Sequence, residues 1–470
     1  MKALNPRTGE LDVEFIIDSD EDIRSLADEL RSKQAEWEAL GPEGRGKVLL
    51  AFADAIERHA PEIVAALSAD TGRTTVSGIE VEGCVRNVRS WAARGPGLFA
   101  GLASDPRPSA TPGIEIATRW SAYPLFGAIA PWNFPLLLSH IDAAPALMAG
   151  CAALVKPSEV TPRFVAPMRA VLAAVPELPL AYVMGGPEAG QALIEAVDYV
   201  CFTGSTATGR KVAEAAGRRL IPANLELGGK DPLIVAASAD PEWAARVALR
   251  ASVVATGQGC QSIERVYAPR ETAERFLAAL VAEAERVGLT WPDPARGHLG
   301  PFIFPAQAGK VQAQIDDAVM RGARVLTGGT VETLGGGKYL RPTVLVDVAP
   351  DMAIMREETF GPVIPVTFYD GLDQAIALAN DCPYGLSASV LAGTPEEAAA
   401  IGVRLDAGAI SLQDGALTTI VGDATNESRK CSGLGPSRMG DSGLLRFLRP
   451  QALIRQTGQP LPIDAYAEHG

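Results

Sequence analysis

Phe202-Thr203-Gly204-Ser205-Thr206-Ala207-Thr208-Gly209 reads as a strand that passes through a glycine turn into the start of a helix. Free amides and the dipole at such a start favour a pyrophosphate. The stretch is neither Gly-x-Gly-x-x-Gly nor a P-loop, since Arg210 follows Gly209, and alone it fits an ordinary capped helix equally well. Its surroundings decide the fold. From Leu125 to about Asp240, short β-like runs alternate with Ala-rich amphipathic segments, the pattern of a parallel sheet with helical crossovers. The expected strands are Leu125–Ala130, Ala152–Lys156, Leu180–Gly185, Tyr199–Gly204 and Leu233–Ala237, with a helix such as Val212 to Arg219 between two of them. Upstream, Glu21–Leu67 is helical in pattern with a break at Gly41-Pro42. Downstream, a second α/β lobe is expected from near Gly229. It has helix-like Pro241–Ala255, Glu271–Val287, Ala306–Arg321 and Asp373–Asn380, and strand-like Thr343–Val348 and Val363–Phe368.

Two pieces fit neither lobe. Gly113–Tyr123 alternates polar and apolar residues as an orphan hairpin would, and Leu453–Thr457 reads as an orphan end-strand. Exposed strand edges need a partner, so pairing with another subunit is expected. The 470 residues, 47% hydrophobic, suffice for two or three domains with sizeable cores. A net charge of −14 repels a phosphate backbone and argues against nucleic acid. The N-terminus lacks the apolar core of a secretory signal, which points to the cytoplasm. Phe134 to Val155, the most hydrophobic stretch, contains His140, Asp142, Pro145 and Gly150; it reads as a buried helix and strand rather than a membrane span. Six cysteines without a Cys-x-x-Cys pair and four unclustered histidines give no metal site or disulfide framework.

Several segments carry chemistry. In Ala255-Thr256-Gly257-Gln258-Gly259-Cys260 the glycines can bring backbone amides close to the sulfur, favouring a thiolate or the oxyanion of an adduct; the same residues also describe a glycine-capped helix with an inert thiol. Asn224-Leu225-Glu226-Leu227-Gly228-Gly229-Lys230 places a carboxylate on an apolar segment, where burial would raise its pKa and suit it to general-base work. Pro131-Trp132-Asn133-Phe134-Pro135 follows the first strand, at the carboxyl end where parallel sheets bind ligands. There Asn133 is a fixed donor for an oxyanion or simply a turn residue. Val155-Lys156-Pro157-Ser158-Glu159 offers groups for ribose hydroxyls, or a solvated charged turn.

In this order, these pieces resemble the aldehyde dehydrogenase superfamily, joined by Glu357-Glu358-Thr359-Phe360-Gly361-Pro362 and Pro383-Tyr384-Gly385-Leu386-Ser387. The likeness runs from Asn5-Pro6-Arg7-Thr8-Gly9 to about Ser389. It implies an α/β fold: a Rossmann-type cofactor domain (1–106 and 124–228), a catalytic domain (229–446) and a small β oligomerisation element (107–123 and 447–470) giving a homodimer or homotetramer. It implies Cys260 as nucleophile, Glu226 as base, and Asn133 with the Cys260 N–H as oxyanion hole. Contacts to NAD, with NADP as the alternative, fall to Ile129, Trp132, Lys156, Ser158, Glu159, Gly204, Ser205, Leu227, Gln307, Glu358 and Phe360. It implies a small-molecule aldehyde as substrate, oxidised to an acid through a thiohemiacetal and a thioester.

After Gly408 the sequence departs from the family pattern. Gln413 stands where an Asn is expected, Thr418–Lys430 is unfamiliar, and Lys430-Cys431-Ser432-Gly433-Leu434-Gly435 matches only in part. The expected pocket wall (Phe134, Leu137, Leu138, Ile141, Gly259, Gln261 and the 414–425 loop) holds no evident arginine and favours a hydrophobic or aromatic aldehyde. Glu159 favours NAD by repelling a 2′-phosphate, which Lys156 partly offsets. A coenzyme-A-acylating dehydrogenase is the nearest alternative, against which Glu226 argues; a non-catalytic scaffold is the alternative of another class.

Overall fold

The computed structural model describes residues 1–102 and 105–468. Two sheets organise it. The first has six strands in the spatial order Gly433–Leu434, Ala223–Glu226, Tyr199–Thr203, Leu125–Ile129, Ala152–Lys156 and Leu180–Tyr182, all parallel except the first. Chain order runs outward from Leu125–Ile129 in one direction and then resumes on its other side at Tyr199–Thr203. The crevice of this sheet therefore opens between those two strands. Apolar layers cover both faces, one built around Phe126, Phe164 and Phe447 and the other around Leu125, Leu193 and Phe202.

The second sheet has seven strands, in the order Arg324–Thr327, Thr343–Val346, Val363–Tyr369, Ile263–Pro269, Asp231–Val235, Ser387–Leu391 and Ala409–Leu412, with only the first antiparallel. The expected strands recur with ends shifted by a few residues, and Leu233–Ala237 becomes Asp231–Val235 in this second sheet. The helix expected over Pro241–Ala255 stops at Val253, because Ala255, Thr256 and Gly257 all adopt left-handed backbone (φ 55°, 62° and 65°). The run Glu21–Leu67 breaks twice rather than once, at Leu40 and at His59 ahead of Pro61. A 29-residue helix, Thr74–Leu102, follows it and was not foreseen.

The two orphan pieces are each other's partner. Ile114–Ala122 pairs antiparallel along its whole length with Leu448–Gln456, and the two-residue strand Arg107–Pro108 lines its far side. The expected hairpin is thus one strand, and one long edge remains without a strand beside it among the described residues. No described helix is long and apolar enough to cross a membrane. Phe134 to Val155 forms two short buried helices, Pro135–His140 and Ala143–Ala149, before the strand Ala152–Lys156.

Candidate active site

The carboxyl ends of the first sheet's strands and the amino ends of the second sheet's strands carry the singled-out residues. Ile129, Lys156, Thr203 and Glu226 end strands of the first sheet. Cys260, Glu358 and Phe360, and Tyr384 lie just before Ile263–Pro269, Val363–Tyr369 and Ser387–Leu391 of the second.

Cys260 is half-buried after the strained 255–257 turn. Left-handed backbone in two non-glycine residues costs free energy that surrounding bonds must offset. Thr256 Oγ1 donates to the Gly300 carbonyl at 3.1 Å, Gln258 Nε2 donates to Pro301 O at 3.3 Å, and Gln258 Oε1 accepts from Ile303 N at 3.0 Å. At Gly257 a Cβ would lie 2.4 Å from the Gly361 carbonyl, so only glycine lets these two backbones meet. Backbone dipoles do not leave the thiol acidic. Burial pushes Cys260 up to about 12, and the nearby charges of Glu226 and Asp231 push the same way.

Glu226 ends its strand opposite Gly433, with Gly229 three residues on pressed against Cys260: a Cβ on Gly229 would sit 2.8 Å from the Cys260 carbonyl. Ser428 Oγ donates to Glu226 Oε2 at 2.8 Å, and Arg438 Nε lies 4.0 Å from Oε1. Arg438 is buried; its Nη2 donates to Asp142 Oδ2 and to Thr203 Oγ1, both at 2.7 Å, and its Nε has no hydrogen-bond partner. Asn133 is buried and donates from Nδ2 to Gln258 O at 3.0 Å, which leaves its second amide hydrogen unused. Asn133, the Cys260 loop and the Glu226 segment are therefore brought together by direct contacts.

On the cofactor side, Lys156 and Glu159 are bonded to each other (Nζ to Oε2, 3.2 Å) at the end of Ala152–Lys156. Ser158 Oγ accepts from Val160 N at 3.2 Å. Ser205 caps the helix Thr206–Arg219, accepting from Thr208 N at 3.3 Å, and the first turn is exposed. Gly204 lets the Phe202 ring pack where a side chain would clash, Gly209 does the same for buried Leu227, and half-buried Ile129 packs near Gly190. A helix start of this kind, with a cation and a carboxylate two strands away at the same edge of the sheet, fits a dinucleotide.

Glu358 accepts from Gly229 N at 3.3 Å, and burial together with the Glu264 charge pushes its carboxyl up to about 7. Phe360 sits edge-on to Trp132, ring centroids 5.4 Å apart. The Glu358–Phe360 turn hangs on Glu264, which accepts from Thr359 N (2.8 Å) and Phe360 N (2.7 Å) and pairs with buried Lys230 at 2.8 Å. Gln307 donates to Thr359 O at 2.6 Å, so its amide supports this turn. Gln413 bonds both ways to the Ala392 backbone, tying the loop after Ala409–Leu412 to the end of Ser387–Leu391. Phe134, Leu137, Leu138, Ile141, Gly259 and Gln261 are all half-buried along the site.

Sequence reading missed Arg73, Glu80, Glu264, Ser428, Arg438 and Asp142. Except for the half-buried hydroxyl of Ser428, their signal is charge at buried positions, which spacing alone does not reveal.

The model of the aldehyde dehydrogenase family matches residues 1–453. A protein of Mycolicibacterium smegmatis provisionally named succinate-semialdehyde dehydrogenase [NADP(+)] is 35% identical over 451 residues, 94% of this chain and 86% of its own. A provisionally named aldehyde dehydrogenase structure from Anabaena variabilis superposes with a TM-score of 0.95 at 45% identity, covering 98% of each chain. Betaine aldehyde dehydrogenase from Staphylococcus aureus, in complex with NAD+, gives 0.90 at 26% identity, covering 100% of this chain and 93% of that one.

Proposed function

Because the chain belongs to the aldehyde dehydrogenase family, and is an NAD(P)-dependent oxidoreductase acting on aldehydes, we propose that it oxidises its substrate to a carboxylic acid through an acyl group carried on Cys260. The observation that carries this reading is the packing of Gly229, three residues after Glu226, against Cys260, with Asn133 bonded to the same cysteine loop.

Cys260 Sγ attacks the carbonyl carbon, and the unused Asn133 amide hydrogen with the Cys260 N–H receives the oxyanion. The resting thiol is protonated, so its proton passes to water as the bond forms, which leaves Glu226 available for the later step. A bound nicotinamide cofactor supplies the two-electron oxidant; Lys156 and Glu159 would hold its adenosine ribose, the Ser205 helix start its pyrophosphate, and Glu358 with Phe360 its nicotinamide end. The acyl group stays on Cys260 as a thioester, which water activated by Glu226 hydrolyses. With Glu226→Gln, one equivalent of NADH per site should form and turnover should then stall; continued turnover at the wild-type rate would remove the base from Glu226. Added coenzyme A should not speed the wild type, as the acylating alternative requires.

The half-buried apolar wall of Phe134, Leu137 and Ile141 supports a hydrophobic or aromatic aldehyde. A second reading, an aldehyde bearing a carboxylate, is favoured by Arg86. Its guanidinium lies over Gly83 beside Leu137, exposed and without a carboxylate partner among the described residues. A comparison of kcat/KM for benzaldehyde and succinic semialdehyde, in wild type and Arg86→Ala, decides between them. NAD is the proposed first cofactor, NADP being accepted because Lys156 partly neutralises Glu159. A homodimer or homotetramer would form through Leu448–Gln456, whose Leu453 and Ile454 are exposed; Ile454→Glu should lower the mass measured by sedimentation.

A further inference from the structure

Arg73 lies one residue before the long helix Thr74–Leu102 and is 5% exposed. Its Nη2 donates to the Asn133 carbonyl and its Nη1 to the Ala255 carbonyl at 3.2 Å. The guanidinium also stacks over the Phe134 ring, 5.0 Å from its centroid. Burial pulls Arg73 down to about 10, which leaves it charged at neutral pH. Two helical turns on, buried Glu80 accepts from the N–H groups of Leu136 (2.7 Å) and Leu137 (3.1 Å). The two side chains thus hold the Pro131–Pro135 turn from both sides: Arg73 takes its carbonyl and Glu80 takes the amides of the helix that follows.

Ala255 opens the left-handed stretch that delivers Cys260, and its carbonyl accepts from Gln258 N at 3.2 Å as well as from Arg73, which ties the turn to the rest of the site. A flat guanidinium with two forked donors can fix two carbonyls at a set separation, which a single ammonium cannot do.

We propose that Arg73 is a positioning residue for the aldehyde-oxidising reaction, setting the distance between the oxyanion donor Asn133 and the turn that presents Cys260. It touches neither substrate nor cofactor and acts through Asn133. This rests on the roles proposed above for Cys260 and Asn133.

The test is a double-mutant cycle on the full-length protein, read as kcat for NADH formation, KM for NAD, and melting temperature. An ångström of misplacement can cost roughly 100-fold in rate, so Arg73→Met should lose about that in kcat with KM for NAD unchanged. Asn133→Ala should lose about 100- to 1000-fold, the cost of one oxyanion donor. Combined, the two should lose little more than Asn133→Ala alone, within about threefold, because the second change acts through a group already removed. Should Arg73→Met fail to fold, Arg73→Lys keeps the charge and one of the two bonds; it should retain the wild-type melting temperature within a few degrees and show the same non-additivity with a smaller loss. Multiplicative losses, or an Arg73→Lys enzyme with wild-type kcat, would overturn the proposal. Failure of the underlying reading is distinguishable, since then wild type would not oxidise aldehydes or Cys260→Ser would still do so.

Discussion

Ser428 donates its hydroxyl to the Glu226 carboxylate at 2.8 Å, from within the segment that departs most from the family pattern. A hydrogen bond to a charged group contributes about 1.5–3 kcal/mol, roughly tenfold or more in a rate that depends on it. This bond fixes the carboxylate against rotation while Arg438 faces its other oxygen at 4.0 Å. Ser428→Ala should therefore slow thioester hydrolysis about tenfold and leave the first turnover untouched. Stopped-flow NADH formation would show a new burst followed by a slower steady state. A slower burst with no change in its amplitude would place Ser428 in the oxidation step instead.

The contrast between what the chain reveals and what it hides is physical. Ala152–Lys156 was readable to the residue because it is buried on both faces and bounded by turn signals. The order of the motifs around Asn133, Glu226 and Cys260 was equally legible, since each keeps its chemistry within a few consecutive residues. Arg73 was not. Its bonds reach 60 and 182 residues along the chain, and in sequence it is one more arginine near a helix start. Arg438 is similar, paired with Asp142 across 296 residues. The strands Ile114–Ala122 and Leu448–Gln456 announced exposed edges, but only the fold shows that each covers an edge of the other.

Cys260, the proposed nucleophile, rests as a thiol, its proton held by burial first and by the charges of Glu226 and Asp231 after that. With Cys260 at about 12, the thiolate fraction should rise tenfold with each pH unit through the whole accessible range. Alkylation by iodoacetamide, followed as loss of dehydrogenase activity from pH 7 to 10, should climb without levelling. Removing the charge in Glu226→Gln should bring the value down and speed alkylation at every pH. A plateau below pH 9 in wild type would contradict a buried, protonated thiol.

Glu358 gives a pH signature on the cofactor side. Burial and Glu264 hold its carboxyl at about 7, so in the unliganded protein it is largely protonated below that pH. Unfolded, it would ionise in the ordinary carboxylate range; the unfolded chain then binds fewer protons, and this group's contribution to stability falls as pH rises toward 7. Accepting ribose hydroxyls is better done by a carboxylate, so NAD binding should draw the proton off. The Kd for NAD should fall as pH rises from 6 to 8 and level above that, and Glu358→Gln should flatten the profile. Calorimetry in two buffers of different ionisation enthalpy would count the released proton; none released by wild type at pH 6.5 would rule this out.

Gly257 joins the two halves of the site. Its backbone at φ 65° lies so close to Gly361 and Pro362 that a Cβ would come within 2.4 Å of the Gly361 carbonyl and 2.8 Å of Pro362 N. Those residues follow directly on Glu358 and Phe360, while Gly257 precedes Cys260 by three positions. An alanine there must both tolerate a left-handed backbone, at about 1–2 kcal/mol, and push the facing strand start away. Gly257→Ala should accordingly damage two functions together: slower alkylation-independent turnover from the displaced cysteine, and weaker NAD binding from the displaced Glu358–Phe360 turn, with a melting temperature lowered by several degrees. Fluorescence titration with NAD is the decisive reading, because a purely local effect on the cysteine loop would lower kcat and leave the Kd for NAD where it was.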